Sequence, residues 1–231
     1  MYYLLDAFYS ALQLIINVDY EIYHIIYTTL YVTFFSLLYA LFFGLLTAFF
    51  LSGRFDPISK ILKIILNTLL SLPTVTVGLF VYMFLMQKGP FGPMHLLFTK
   101  KAIIIGQTIL AYPIVTSLVI ATLENYDKRL KEFLLTLGVN KLTLMKTILW
   151  EARFGIIIAA VTAYGRVISE VGASMILGGN IKGYTRTLTT AISLETSKGI
   201  FEIALALGFI LLTISFIINI ALHFLKRLWK L

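Results

Sequence analysis

The sequence ENYDKRLKEFLLTLGVNKLTLMKTI, residues 124–148, lies between two long apolar parts of the chain and carries a helical pattern of its own. Its first half repeats apolar residues with the spacing of one helix face, at Leu130, Phe133, Leu134 and Leu137. Gly138 follows, where a helix C-cap favours the left-handed conformation, and Asn140 is a good N-cap for a further helix. The stretch therefore predicts a helix, a glycine turn and a second helix, held outside the bilayer.

The same stretch is basic, with Lys128, Arg129, Lys131, Lys141 and Lys146. One interpretation is an ordinary cytoplasmic loop that rests on lipid headgroups. The other is a compact element that contacts a partner. The glycine-capped pair of helices favours the second interpretation, because it specifies a shape.

The composition of the chain is that of a membrane protein. Hydrophobic residues make up 59% of the 231 residues and charged residues 13%, against about 25% charged residues in a soluble domain. A span needs about 20 residues, so the chain has room for five or six spans and for no separate soluble domain. Basic cytoplasmic loops explain the net charge of +8, and we expect no nucleic-acid partner. The chain has no cysteine and hence no disulfide framework.

We predict an all-α, polytopic membrane helix bundle with five core spans, at residues 22–51, 61–86, 102–123, 154–177 and 200–224. Residues 1–20 are aromatic and interrupted by Asp6 and Asp19, which leaves an interfacial helix or a partial sixth span open. Residues 21–228 would form the membrane domain, with a polar connector at 180–199 before the last span.

The distribution of basic residues predicts the orientation. With 124–148 in the cytoplasm, the cytoplasmic side holds twice as many Lys and Arg residues as the outer side. We therefore predict a multi-pass protein of the cell (cytoplasmic, or inner) membrane with its N-terminus outside and its C-terminus in the cytoplasm. The first basic residue is Arg54, so we expect no cleavable signal peptide.

Two prolines indicate broken helices inside predicted spans, because proline removes a hydrogen bond from the helical ladder. Pro73, followed by Thr74, interrupts the span 61–86, and Pro113 interrupts the span 102–123. Broken helices at mid-membrane often line a pathway, whereas the simpler interpretation is a kink that serves packing. Polar residues beside Pro73 favour a pathway there.

Arg166 and Glu170 are four residues apart in the predicted fourth span and share one helix face. They could attract an anion into a pathway or form an internal ion pair. On the same span, small residues recur every four positions, at Gly155, Ala159 and Ala163. This spacing allows two membrane helices to approach closely, within the chain or across a dimer interface.

Enzymatic signatures are absent from the sequence. No glycine precedes Lys-Ser or Lys-Thr, so there is no P-loop. The three histidines, His24, His95 and His223, fall in separate predicted segments, and we expect neither a metal site nor a cofactor. We interpret the chain as a transport protein without catalytic residues.

The stretch 124–148, called the polar stretch below, resembles the EAA loop of type I ABC importer permeases. In that family a Glu is followed after six residues by Gly and about ten residues later by Ile, and Glu132, Gly138 and Ile148 match this spacing. The family's two small residues after the Glu are Phe133 and Leu134 in this sequence, and its usual Leu-Pro after the Ile is Trp150-Glu151.

Other segments resemble the molybdate and tungstate branch of these permeases. They are LPTVTVGL at 72–79, KGPFGP at 88–93, IIGQTILAYP at 104–113 and GRVISEVGASMILGGNIKGYTRTLTTAISLETSKG at 165–199. The resemblance covers about residues 25–225 and implies a permease of an oxyanion importer, for tungstate or molybdate, that forms its pathway as a homodimer in membrane lipid.

The resemblance also implies partners and roles. A cytoplasmic ABC ATPase would bind the loop through Glu132, Phe133, Leu134, Leu137, Gly138, Val139, Asn140 and Ile148. An extracytoplasmic binding protein would deliver the oxyanion to the outer mouth, near 169–199. Candidates for lining the pathway or its gate are Pro73, Thr74, Pro113, Arg166, Ser169, Glu170, Gly172 and Ser174. The alternative function is a stand-alone channel or secondary anion transporter with its site at Arg166 and Glu170.

Replacing Gly138 with valine should uncouple transport. A branched side chain disfavours the left-handed conformation that the C-cap requires, at a cost on the order of 1 kcal/mol or more. The measurement is stimulation of the partner ATPase in the reconstituted complex. Normal stimulation by a Gly138→Val permease would contradict the coupling role of this loop.

Overall fold

The computed structural model describes residues 8, 9, 13, 20–52, 56–124, 136 and 138–228, and within them all regular elements are helical. In order, these are α1 Tyr20–Leu51, α2 Pro57–Leu69, α3 Thr74–Leu85, the 3-10 turn Gly92–Met94, α4 Lys100–Glu124, α5 Lys141–Glu151, α6 Arg153–Ile168, α7 Gly172–Gly178, α8 Leu188–Ser197 and α9 Phe201–Leu228. The predicted all-α fold class is confirmed for the described part of the chain.

Part of the predicted polar stretch lies outside the described residues. This applies to the first predicted helix apart from Thr136, and to the coupling candidates Glu132, Phe133, Leu134 and Leu137. Most of residues 1–20 lie outside as well, so the choice between an interfacial helix and a sixth span stays a prediction.

The candidate spans coincide in position with the predicted ones. Among the described residues, α1, α4 and residues 201–221 of α9 are each long and apolar enough to cross a membrane. Two bent pairs, α2 with α3 at 107° and α6 with α7 at 62°, pass the same test together. Counting each pair as one span gives five.

The tightest part of the bundle is the contact between α1 and α4, which run in the same direction. Small residues on α1 recur every four positions, at Ser36, Ala40, Gly44 and Ala48, and all are buried. A Cβ added to Gly44 would lie 2.7 Å from Val115 Cγ1, so only glycine allows this approach.

The small-residue face of α6 packs against α4 within the same chain, in the same core as α1. A Cβ added to Gly155 would collide with Thr122, while Ala159 and Ala163 are fully buried in the core that contains Val115. The prediction of close packing is confirmed. This face is occupied by α4, so it is not a dimer interface.

The prolines differ in their effect. Residues 70–73 separate α2 from α3, so the predicted break at Pro73 is confirmed. The predicted break at Pro113 is wrong, because α4 continues through it and buries it against its neighbours. The structure also places a break at residues 169–171, where an uninterrupted span over 154–177 was predicted.

Side chains cap the starts of α2 and α5, the latter as predicted for Asn140. Asp56 caps α2 through Ser59 N with Pro57 in the first turn, and Asn140 Oδ1 accepts from Thr143 N at 2.8 Å. Gly138 has a φ of +68°, the left-handed conformation that its position predicted. The polar connector 180–199 contains α8, which begins with a capping box between Thr187 and Thr190.

Adding a methyl group at Gly78 should destabilise the bundle. A Cβ there would lie 2.8 Å from the Cα of Ala173, so α3 and α7 would have to separate. We expect Gly78→Ala to cost about 1–3 kcal/mol, measured as a lower melting temperature in detergent. Gly208→Ala is the matched control, because no described residue lies within 4 Å of its Cβ position and helix propensity alone should make it neutral or stabilising. Equal melting temperatures would contradict the close approach.

Candidate functional site

The first break of a span, at residues 70–73 between α2 and α3, and the second break, at residues 169–171 between α6 and α7, meet at one place in the bundle. α3 and α7 begin side by side, and a Cβ added to Gly172 would lie 2.7 Å from Val75 Cγ2 and 3.6 Å from Thr74 Oγ1. The predicted pathway candidates Pro73, Thr74, Glu170 and Gly172 are therefore brought together. The close contact requires glycine at position 172.

Glu170 is the centre of the second break. One carboxylate oxygen accepts from Arg166 Nη1 at 3.0 Å, and the other accepts from Ala173 N, in the first turn of α7, at 2.9 Å. The side chain is only 2% exposed, whereas that of Arg166 is 38% exposed. The internal ion pair, one of the two interpretations of these residues, is present, and it also caps α7.

A buried chain of side-chain hydrogen bonds ties α7 to α4 and α1. Ser36 Oγ donates to Gln107 Oε1 at 3.1 Å, and Gln107 Nε2 donates to Ser174 Oγ at 3.1 Å. Gln107 is 2% exposed, so its amide would be costly to bury without these partners. The role of Gln107 could not be predicted from the sequence, because its partners are 71 and 67 residues away.

The connector that precedes the last span also holds the second break. Thr189 Oγ1 donates to the carbonyl oxygen of Glu170 at 2.9 Å, and Thr185 Oγ1 donates to that of Gly178 at 2.6 Å. The first part of the connector is also joined to α1, since Glu21 accepts from Lys182 at 2.7 Å and from Arg186 at 3.0 Å. The roles of Thr185 and Thr189 were not predicted from the sequence, although the Thr187–Thr190 spacing of a capping box could have indicated an ordered turn.

The outward side of α6 presents small and polar residues. Thr162, Gly165 and Ser169 are exposed along one stripe, with Arg166 beside them. Ser169 Oγ donates to the carbonyl oxygen of Gly165 at 2.8 Å, so its hydroxyl is satisfied locally. Among the pathway candidates at this site, Pro73 and Ser169 are exposed, and Thr74, Arg166 and Gly172 are partly exposed.

Pro113 does not belong to this group. It lines an apolar cavity of about 560 Å³ between α1, α4 and the bend after α2, with Leu69, Leu72 and Val77. The hydroxyl of Tyr112 in the same wall donates to Thr47 Oγ1 at 2.9 Å. The structure therefore separates Pro113 from Glu170 and Gly172.

The described half of the polar stretch leads directly into α6. After Gly138, Val139 and the Asn140 cap, α5 continues past Ile148 to Glu151, and Ala152 joins it to α6. The guanidinium of Arg153 lies 5.1 Å from the Trp150 ring centroid, and its Nη1 donates to the Trp150 carbonyl oxygen at 2.7 Å. This junction links the stretch to the helix that ends at the second break.

No metal-binding cluster accompanies these features in the part of the chain that the structure describes. No group of three or more His, Asp or Glu side chains is placed there to hold a cation. The chemistry available at the site is hydrogen bonding and the charge of Arg166 and Glu170.

Comparison with known proteins decides the class of this bundle. Residues 15–230 match the family described as the binding-protein-dependent transport system inner membrane component. The chain belongs to this permease family. The resemblance to type I ABC importer permeases is thereby confirmed.

The matches to similar proteins extend over nearly the whole length of the permease. It is 46% identical over 230 residues to the tungstate uptake system permease protein TupB of Campylobacter jejuni, covering 97% of this chain and 94% of that protein. It is 36% identical over 227 residues to TupB of Peptoclostridium acidaminophilum, covering 98% and 100%. A chain of the inward-facing MetNI methionine ABC transporter superimposes with a TM-score of 0.74 at 18% identity, covering 91% of the permease and 96% of that chain.

Membership of the family establishes the general role. The permease is a multi-pass inner-membrane subunit of a transport system that depends on a binding protein. Such a subunit has no catalytic activity of its own and works with an ATPase in ABC importers. The predicted class of function is therefore confirmed.

Removing the charge of Glu170 should destabilise the permease. Glu170→Gln keeps an oxygen for Ala173 N but loses the charged pair with Arg166, and we expect a cost of about 1–3 kcal/mol. Glu170→Ala should cost more, because it leaves the first turn of α7 and the guanidinium without this partner. The measurement is thermal unfolding of the purified permease in detergent.

The matched control for this change is Glu195→Gln. Glu195 pairs with Lys198, and their side chains are 12% and 47% exposed, so solvent screens this pair more than that of Glu170 and less stability should be lost. A Glu170→Gln permease as stable as the Glu195→Gln control would contradict the role of Glu170 at the break.

Proposed function

We propose that this permease imports an oxyanion, with tungstate as the first candidate and molybdate as the second. The observation that carries the proposal is 46% identity over almost the full length to a tungstate uptake permease, supported by a second tungstate permease at 36%. The segment 165–199, which prompted the resemblance to tungstate permeases, contains both Glu170 and the connector that holds it.

The geometry of the breaks is compatible with an anion as substrate. α3 begins at Thr74 without a side-chain cap, because its N-cap is Pro73. The unsatisfied N–H groups at a helix start carry partial positive charge and attract anions. Arg166 adds a full positive charge with 38% of its side chain exposed. We assign Arg166, Ser169 and Thr74 to the pathway or its gate, with Glu170, Gly172 and Ser174 holding the break in shape.

We propose that two copies of the permease enclose the pathway. The exposed stripe of Thr162, Gly165 and Ser169 is polar enough to face a pathway and poorly suited to lipid. A second copy facing this stripe would enclose it. Lipid would cover the apolar outer surfaces of α1 and α9.

The proposed orientation places the polar stretch 124–148 in the cytoplasm. The N-terminus then lies outside and the C-terminus inside, in agreement with the excess of Lys and Arg on the cytoplasmic side. In this orientation the connector 180–199 faces the binding protein.

We assign coupling to the stretch 124–148. The family depends on an external energy source, and the sequence has no P-loop, so the ATPase would be a separate subunit. The left-handed Gly138 and the Asn140 cap give this stretch a defined turn directly before α5. Movement of α5 would reach the second break through α6.

Reconstitution tests the proposal as a whole. We expect proteoliposomes with the permease, its ATPase and its binding protein to accumulate tungstate only when ATP is present. Molybdate should compete with tungstate if the importer accepts both oxyanions. The measurement is uptake of the metal into the vesicle lumen, together with the permease copy number of the purified complex, expected to be two.

Proteoliposomes that contain the permease alone are the control. We expect no anion flux in them, because the alternative, a stand-alone channel or secondary transporter, needs neither partner. Tungstate flux through the permease alone would contradict the proposed function, and a complex with one copy of the permease would contradict the homodimer.

A further inference from the structure

An ion pair joins the half-span α2 to the last residue of α4. Lys63 Nζ lies 2.5 Å from Glu124 Oε1, although the two residues are 61 positions apart in the sequence. Their side chains are 18% and 32% exposed. Glu124 is the first residue of the stretch 124–148, to which we assign coupling. The pair therefore connects the start of that stretch to a different span.

A polar cavity lies directly beside this pair. It has a volume of about 170 Å³ and is lined by Lys63, Asn67, Ser117, Ile120, Ala121 and Glu124. Asn67 lies one helical turn from Lys63, and Ser117 lies two turns from Glu124, so both helices turn polar faces to each other. The buried Ser117 Oγ has no hydrogen-bond partner among the described residues. A polar seam thus lies beside the apolar contact between the two helices.

α2 is attached to the bundle by few buried side chains. Within α2 only Ser59 and Leu66 are buried, and Leu66 packs in the core that contains Ile120. The opposite face exposes apolar residues, with Ile58 70% and Ile64 64% exposed. An element with few buried contacts can shift at low free-energy cost. Leu66 and the Lys63–Glu124 pair therefore both hold α2 against α4.

α2 leads directly to the first break. It ends at Leu69, and after a bend of 107° the chain enters α3 at Thr74. Thr74 and Val75 contact the position of Gly172 at the second break. A shift of α2 would consequently change the angle of the bend and the contact between the two breaks.

We propose that the Lys63–Glu124 ion pair transmits movement of the coupling stretch to the broken second span. This inference rests on the proposed coupling role of 124–148. Lys63 and Glu124 are positioning residues, since they act through α2 on the bend at residues 70–73. Asn67 and Ser117 provide the polar seam along which α2 moves against α4.

A charge-reversal cycle tests the link in the complete complex. In Lys63→Glu and in Glu124→Lys, like charges replace the ion pair. We expect stimulation of ATP hydrolysis by tungstate-loaded binding protein to fall about fivefold or more in each. The tungstate transported per ATP should fall as well, while basal hydrolysis and the yield of assembled complex stay unchanged. The double variant Lys63→Glu/Glu124→Lys restores an ion pair and should recover most of the stimulation.

Lys60→Glu is the matched control. Lys60 lies on the same helix and is exposed, and we expect its charge reversal to leave stimulation unchanged. Single variants that are stimulated like the wild type would overturn the inference while the proposed function stands. Impaired single variants that the double variant does not rescue would also overturn it, because they indicate a purely structural role. A wild-type complex without any stimulation would overturn the proposed function and this inference together.

Cross-linking provides a second measurement that does not depend on reversed charges. The chain has no cysteine, so Lys63→Cys/Glu124→Cys introduces the only two thiols of the permease. We expect this variant to be poorly stimulated until a cleavable thiol-specific cross-linker of side-chain length joins the two positions. Stimulation should then rise and fall again on cleavage. A cross-linked permease that stays unstimulated would overturn the proposed transmission.

Discussion

The carboxylate of Glu170 is the interaction on which the second break of the helical spans depends. Lipid cannot satisfy the backbone groups that a broken helix leaves free, so the protein has to supply the partners. Glu170 supplies one to Ala173 N, and its own charge is balanced by Arg166. Its carbonyl oxygen accepts from Thr189 and its N–H donates to the Val167 carbonyl oxygen, so every polar group of Glu170 is used. With these hydrogen bonds in place, the helix can break in the middle of the bundle without exposing polar backbone groups to lipid.

Close helix packing makes this arrangement possible. Gly44 and Gly155 bring α1 and α6 close to α4, and α4 in turn presents Gln107 to both Ser36 and Ser174. A larger residue at either glycine would move the helices apart, and the hydrogen bonds of Gln107 would lengthen with them. The polar network therefore depends on the small residues, because these set the distance between helices that its hydrogen bonds require.

The sequence predicted the features that are encoded locally. Pro73 removes a ladder hydrogen bond, Asn140 caps the helix that follows it, and Gly138 adopts the conformation that its neighbours require, all within a few residues. Contacts between distant segments could not be read in this way: Gln107, Thr189 and the Lys63–Glu124 pair have partners 19 to 71 residues away. The predicted break at Pro113 is wrong for a related reason. A proline ring packed among neighbouring helices can be tolerated in a membrane helix, because those neighbours can compensate the lost bond.

The pairing of Arg166 with Glu170 bears directly on how an anion could pass. An unpaired carboxylate at this place would repel an oxyanion, and an unpaired guanidinium could hold it too tightly for release. The pair has no net charge, which weakens the binding of an anion. A guanidinium nevertheless carries five N–H donors, and the contact with Glu170 involves Nη1. Arg166 is the more exposed partner and Glu170 the buried one, so an approaching anion meets the positive end first. Conduction requires binding that is favourable enough for entry and weak enough for exit, and under the proposed assignment of Arg166 to the pathway, an arginine paired with Glu170 would meet both requirements.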